Sequence, residues 1–107
     1  MSKSIRVLIT GSSGQIGTNL SLSLLEAGHQ VIGVDRRLNN WTAEVPTLKR
    51  NLLHPIPPKA LWPVTPRVVV HLAAHAKVHE LVENPARALE NVTMTFNVLE
   101  YCRANGL

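Results

Sequence analysis

"ITGSSGQIGTNL", residues 9–20, spaces three glycines evenly, Gly11, Gly14 and Gly17, at the junction of two apolar runs. Before them, "IRVLIT" (5–10) is short, apolar and rich in β-branched residues, which predicts a strand buried on both faces. After them, Ile16, Leu20, Leu24 and Ala27 recur at spacings of four, four and three. That period predicts a helix over 14–27 with these residues on its apolar face. Gly28 stands where a helix C-terminus favours a residue free to take positive φ. "QVIGVD" (30–35) reads as a second buried strand ending in Asp35. Strand, glycine turn, helix and strand make a βαβ unit, with parallel strands and a right-handed crossover.

Each glycine has a physical use in such a turn. Gly11 lets the chain leave the strand sharply, Gly14 leaves room for a pyrophosphate at the backbone, and Gly17 lets the helix pack close to the sheet. The helix N-terminus offers free N–H groups and a partial positive charge to phosphates. Ser12, Ser13 and Gln15 would add donors. Glycines alone fit a tight strand-to-helix turn equally well, so the surroundings must decide. Asp35 stands 21 residues after Gly14, at a strand end. A carboxylate there accepts hydrogen bonds from adenosine ribose hydroxyls and repels a 2′-phosphate, which favours NAD over NADP. Arg36 and Arg37 pull the other way, because guanidinium groups beside the ribose bind a 2′-phosphate; a solvated loop is their plainer reading.

Further along, "TLKRNL" (47–52) reads as a short third strand, and "RVVVHLAA" (67–74) as a fourth buried one. Between them, "HPIPPKALWPVTP" holds five of the seven prolines and reads as a loop with at most one helical turn. The last element is a long helix. Asn84 is placed to cap it, Pro85 suits its first turn, and Gly106 is its stop. Ala88, Leu89, Val92, Phe96 and Leu99 give its apolar face.

Composition narrows the class. With 107 residues the chain is one domain at most, and 45% apolar against 17% charged residues is a globular balance. The net charge of +4 comes from scattered residues, the longest basic runs being Arg36-Arg37 and Lys49-Arg50. Nucleic acid would ask for a basic stripe, so an anionic small molecule is the expected partner, with no nucleic acid and no membrane. The single cysteine, Cys102, allows no intrachain disulfide and suits a reducing compartment. No apolar run reaches the length of a signal-peptide core or a membrane span, and a cytoplasmic location is expected.

Together, "TGSSGQIG", "VIGVDRR", "VVVHLAA" and "ENVTMTFNVLEYCRANG" resemble the N-terminal half of the extended short-chain dehydrogenase/reductases, the group of NAD-dependent sugar-nucleotide epimerases and dehydratases. The resemblance implies a Rossmann-like α/β fold, a partial doubly wound parallel sheet in strand order 3-2-1-4. Strand four would be an edge, and an exposed apolar edge invites self-association. It also implies cofactor contacts. Gly11, Gly14, Gln15 and Ile16 would line the pyrophosphate, with Ser13 and Gly17 in the same loop. Asp35 and Arg36 would hold the adenosine ribose. Asn51 and Leu52 stand where the family has an Asp-hydrophobic pair against adenine; the amide oxygen would accept from the adenine amino group without a charge. Leu72, Ala73 and Ala74 would turn over the nicotinamide-side ribose and phosphate, and Asn91 would support the site from behind.

Family members use a Ser or Thr and a Tyr-x-x-x-Lys pair, in which tyrosine moves the proton while the cofactor carries the hydride. The one tyrosine here, Tyr101, is followed four residues later by Asn105, not lysine. It reads as a packing or surface residue, and no catalytic residue is expected. Residues 1–107 therefore read as an NAD(P)-binding Rossmann domain cut before the catalytic segment and inactive alone. The parent would be an epimerase, dehydratase or oxidoreductase on a nucleotide-linked sugar or similar alcohol. A non-catalytic dinucleotide-binding or redox-sensing module is the alternative.

Other features have plainer readings. His71, His75 and His79 are spaced by four, but the strand end at His71 keeps them off one helix, and no metal site is expected. Lys77 reads as a solvated lysine at a helix start, Cys102 as a buried apolar residue, and Trp41 and Trp62 as partly buried against the sheet.

Overall fold

Strands β1 (Arg6–Thr10), β2 (Gln30–Asp35), β3 (Thr47–Lys49) and β4 (Val68–His71) form one parallel sheet in the order β3-β2-β1-β4. This is the expected α/β architecture. The computed structural model describes residues 3–61 and 65–107. β1 lies at the centre, with Val7 opposite Val31 of β2 on one side and Val68 of β4 on the other. β3 continues the sheet outward, Val34 pairing Leu48.

Alternation along the strands builds the two layers. Leu8 and Val34 point to one face and meet Met94, Val98 and Tyr101 of α3 (Ala86–Ala104). Val7, Ile9 and Val31 point to the other and meet Leu20, Leu24 and Leu25 of α1 (Gln15–Glu26). Burying each such side chain stabilises the fold by roughly 1.5–3 kcal/mol. Both helices close in the same way. Gly28 and Gly106 take positive φ, and the next residue's N–H returns to the carbonyl three residues inside the cap, His29 to Leu24 at 3.0 Å and Leu107 to Cys102 at 2.9 Å.

Several expectations are corrected. α1 turns Ile16 and Ala27 to solvent; Gly17, Thr18 and Ser21 are its buried residues, because the glycine loop lies too close for larger ones. α3 faces the sheet with Met94, Asn97, Val98 and Tyr101, while Ala88, Leu89, Val92, Phe96 and Leu99 are exposed. The apolar period was real but marked the outer face, since two asparagines interrupt the inner one. Asn84 makes no side-chain cap; its carbonyl accepts from Arg87 N–H, and its own N–H closes a short helix α2 (Val78–Glu83). α2 was not anticipated, although Lys77 does stand exposed at its N-cap. β4 lies at the sheet edge as expected, but it is only partly buried. β3 ends at Lys49. The proline-rich segment holds turns but no helix among the described residues. Cys102 is half-buried. Trp41 is 71% exposed, with its backbone N–H bound to Asn39 Oδ1 rather than its ring against the sheet. Trp62 lies outside the described residues.

Candidate functional site

The C-terminal ends of β1, β2 and β4 converge where an open α/β sheet offers its crevice. Gly11 N–H donates to the Val34 carbonyl at 2.8 Å, so the loop springs directly from the β1–β2 junction. Asp35, at the end of β2, holds the loop in place. Its Oδ2 accepts from Ser13 N–H and its Oδ1 from Arg37 N–H, each at 3.0 Å, while Ser13 Oγ donates to the Arg37 carbonyl at 2.7 Å. Each carboxylate oxygen keeps a lone pair for a ligand.

The three glycines are not equivalent. A Cβ on Gly11 would meet Ala73 N at 2.7 Å, and φ there is +72°. A Cβ on Gly17 would meet the Gly11 carbonyl oxygen at 2.3 Å. Both are required by the chain's own packing. Gly14 has φ −80° and ψ 177°, and its Cβ would stand 3.5 Å from the Gly11 oxygen, an ordinary contact. Nothing in the fold demands glycine at position 14, whose bare backbone faces the cleft.

That cleft has a volume of about 190 Å³. Gly11, Gly14, Asp35, Arg36, Asn51, Leu52, Leu72, Ala73 and Ala74 line it, so nine of the residues singled out from sequence come together. Ser13, Gln15, Ile16, Gly17 and Asn91 do not line it. Ser13 is tied to Asp35 and Arg37, Gln15 and Ile16 open α1 on its exposed side, and Gly17 packs beneath the loop. Asn91 acts on the wall: its Oδ1 accepts from His75 N–H at 2.7 Å and its Nδ2 donates to the His75 carbonyl at 3.0 Å. Asn51 Oδ1 accepts from Leu53 N–H at 3.0 Å, closing its own turn. The oxygen expected to face adenine is thus already engaged, and the amide NH₂ is the freer group.

Arg37, weighed beside Arg36 as a 2′-phosphate contact, also lines the cleft, and so do Arg50, Leu53, His75 and Met94, which were not foreseen as site residues. Lys49-Arg50 was visible as a basic pair, but only the β2–β3 pairing brings it to the cleft. With Arg36, Arg37 and Arg50 against Asp35, this side of the cleft is cationic overall. His71 and His75 are separately engaged. His71 bonds Thr10 and Thr95, and His75 Nε2 pairs with Glu90 at 3.0 Å. Arg87 binds the same Glu90 oxygen at 2.8 Å, and this hydrogen bond leads the influences that hold the Glu90 carboxyl below its usual range. Burial pushes the Tyr101 hydroxyl and the Cys102 thiol up. Tyr101 is 1% exposed, which places it in the core and outside the cleft. Among the described residues no three His, Cys, Asp or Glu side chains converge on a metal position, and no helix is long and apolar enough to cross a membrane.

A parallel sheet with a glycine loop at its central strand, an acidic residue at the end of the next strand and helices on both faces is the Rossmann-like architecture of nucleotide cofactor proteins. The chain belongs to the NAD dependent epimerase/dehydratase family, which it matches over residues 7–107. It is 34% identical to Protein CapI of Staphylococcus aureus, covering 92% of this chain and 34% of that protein. It is 31% identical to UDP-glucuronate 4-epimerase 1 of Arabidopsis thaliana, covering 94% and 27%. The crystal structure of Thermus thermophilus UDP-glucose 4-epimerase in complex with NAD superposes with a TM-score of 0.78 at 28% identity, covering 95% of this chain and 35% of that one. The chain thus spans about a third of the length of these proteins.

Proposed function

We propose that residues 1–107 form the NAD-binding portion of a nucleotide-sugar epimerase or dehydratase. Gly14 carries the reading. The fold has no use for a glycine there, and a pyrophosphate on the α1 N-terminus does. The family match and the NAD complex of a similar epimerase support the same cofactor.

The residues divide the work. Gly11, Gly14 and the N–H groups of Gln15 and Ile16 receive the pyrophosphate, with Ser13 and Gly17 shaping the loop. Asp35 accepts from the ribose hydroxyls with its remaining lone pairs, and Arg36 flanks them. Asn51 and Leu52 bound the adenine, Leu72, Ala73 and Ala74 cover the nicotinamide-side ribose, and Asn91 braces that turn. When bound, NAD supplies a hydride acceptor. Asp35 favours NAD, and Arg36, Arg37 and Arg50, which attract a 2′-phosphate, reduce that preference without reversing it, so NADP is the weaker ligand.

The residues supply no proton-transfer pair. Tyr101 is buried in the core with Asn105 four residues on, so the chain alone is inactive. A cleft of about 190 Å³ falls below the roughly 300–1,000 Å³ usual for ligand sites, so the half-cleft binds weakly. The substrate of the whole enzyme is a nucleotide-linked sugar or similar alcohol. The unpaired side of β4 favours self-association of the chain through that edge, read out as a sedimentation coefficient that rises with concentration. A non-catalytic dinucleotide-binding or redox-sensing module is the second reading, favoured by the same cleft with no acid–base pair beside it.

Calorimetry with NAD and NADP tests the assignment. Gly14→Ala is expected to keep the melting temperature and weaken NAD binding at least tenfold. Unchanged NAD affinity in that variant would refute the loop assignment. Tighter NADP binding would reverse the cofactor preference, and turnover of a nucleotide sugar by the purified chain would overturn the inactivity.

A further inference from the structure

Thr10 and His71 meet where β1 and β4 end, just behind the cleft. Thr10 is fully buried, and its Oγ1 accepts from two backbone donors, Leu72 N–H at 3.0 Å and Ala73 N–H at 3.2 Å. A threonine hydroxyl has two lone pairs and one proton. Both lone pairs are taken, so the proton goes to the remaining partner, His71 Nδ1, 2.6 Å away. Nδ1 is therefore an acceptor, and the ring carries its proton on Nε2. Nε2–H points to Thr95 Oγ1 at 3.3 Å, and Thr95 passes its own proton to the Asn91 carbonyl at 3.0 Å. All donors in this relay run one way, from the 72–73 turn through the ring to α3.

We propose that neutral His71, protonated on Nε2, is a positioning residue that acts through Thr10 Oγ1 to hold the Leu72–Ala73 turn against Gly11, so that protonating the ring loosens the cofactor cleft. The turn has no slack in this position, because a Cβ on Gly11 would stand 2.7 Å from Ala73 N. A second proton on the ring puts a third N–H against Thr10 Oγ1 and leaves the hydroxyl proton without an acceptor. Leu72 N–H can fall back on the Thr10 carbonyl at 3.1 Å. Ala73 N–H has no such second acceptor, so Ala73 is the residue released.

The ring's surroundings suit a neutral state. From β1 it meets Thr10 and from α3 Thr95, both uncharged. Burial lowers its pKa, with no charged group contributing. The neighbouring titratable cluster, His75 with Glu90 and Arg87, lies at the far end of the turn, where Asn91 holds the His75 backbone. α3 thus grips the turn twice, through Thr95 at its start and Asn91 at its end.

The idea rests on the cofactor assignment for its consequence but not for its geometry, and the test separates the two. Long-range nitrogen–proton NMR on the labelled 107-residue chain reads the tautomer of His71 without ligand. The expected result is Nε2–H at neutral pH, with the Leu72 and Ala73 amide signals shifting as the ring titrates, a step that burial moves below the ordinary histidine range. An Nδ1–H tautomer, or turn amides that ignore the titration, would overturn the proposal. NAD affinity across the same titration is the second arm. The wild-type chain is expected to weaken by about tenfold on protonation, the equivalent of one hydrogen bond. His71→Asn, which keeps an acceptor near the Nδ1 position and does not titrate, is expected to bind at the neutral-pH level throughout. His71→Leu is expected to bind weakly at every pH. A His71→Asn chain that retains the wild-type pH dependence would sink the positioning role. A chain that takes up no NAD at any pH fails the cofactor assignment instead, and the tautomer and amide signals still decide on His71.

Discussion

Helix α1 meets the glycine loop with Gly17, Thr18 and Ser21 and the sheet beyond it with Leu20, Leu24 and Leu25, whereas α3 meets the opposite face with Met94, Asn97, Val98 and Tyr101. The first contact is close because its side chains are small. Gly17 sits so near the loop that even a methyl group would overlap the Gly11 carbonyl. The second is filled by large side chains, and its polar members are satisfied rather than excluded: Asn97 Nδ2 donates to the Leu52 carbonyl at 2.8 Å. Both helices bury one stripe, but only α1 buries it by approach of backbone to backbone. That closeness is what aims the α1 N-terminus at the cleft, while α3 serves as a brace for the loops after β3 and β4.

The contrast can be broken most forcefully at Gly17. Gly17→Ala is expected to destabilise the chain by about 3 kcal/mol in urea unfolding, because the clashing atoms are backbone and cannot rotate away. A change below about 1 kcal/mol would mean that α1 can back away from the loop. On the other face, Asn97→Leu adds apolar surface to an apolar core yet is expected to cost about 2 kcal/mol, because the buried Leu52 carbonyl loses its donor. A stabilised variant would show that the asparagine is only tolerated. The smallest effect belongs to Phe96→Ser, on the outer side of α3. Phe96 is 60% exposed, and the unfolding midpoint is expected to move by no more than about 0.5 kcal/mol equivalent. A large loss would restore Phe96 to the core.

Local chemistry explains what could be read in advance. The strands β1 and β2, the glycine turn, Gly28 and Gly106 each depend on neighbours in sequence, and each stands where expected. Strand order followed from the resemblance. The inner face of α3 escaped because periodicity weighs side chains by apolarity, and Asn91 and Asn97 are inward for reasons set by partners 16 and 45 residues away. The outer stripe from Leu89 to Leu99 is more apolar and drew the assignment. Seven of the nine cleft residues were within reach because the loop, the end of β2 and the turn after β4 carry recognisable motifs, and Asn51 and Leu52, after β3, were reached through the resemblance alone. Arg50, His75 and Met94 reach the cleft only through long-range pairing, which leaves no local mark.

Asn91 bears one more consequence. With a donor set against the His75 carbonyl and an acceptor against its N–H, its side-chain amide does for a single residue what a neighbouring strand does for a ladder. β4 has run out at His71, yet four residues later its chain is still paired, now to a helix. The wall of the cleft is therefore tied to both layers, to the glycine loop through Thr10 and to α3 through one side-chain amide, so the position of the helix bears directly on the shape of the crevice.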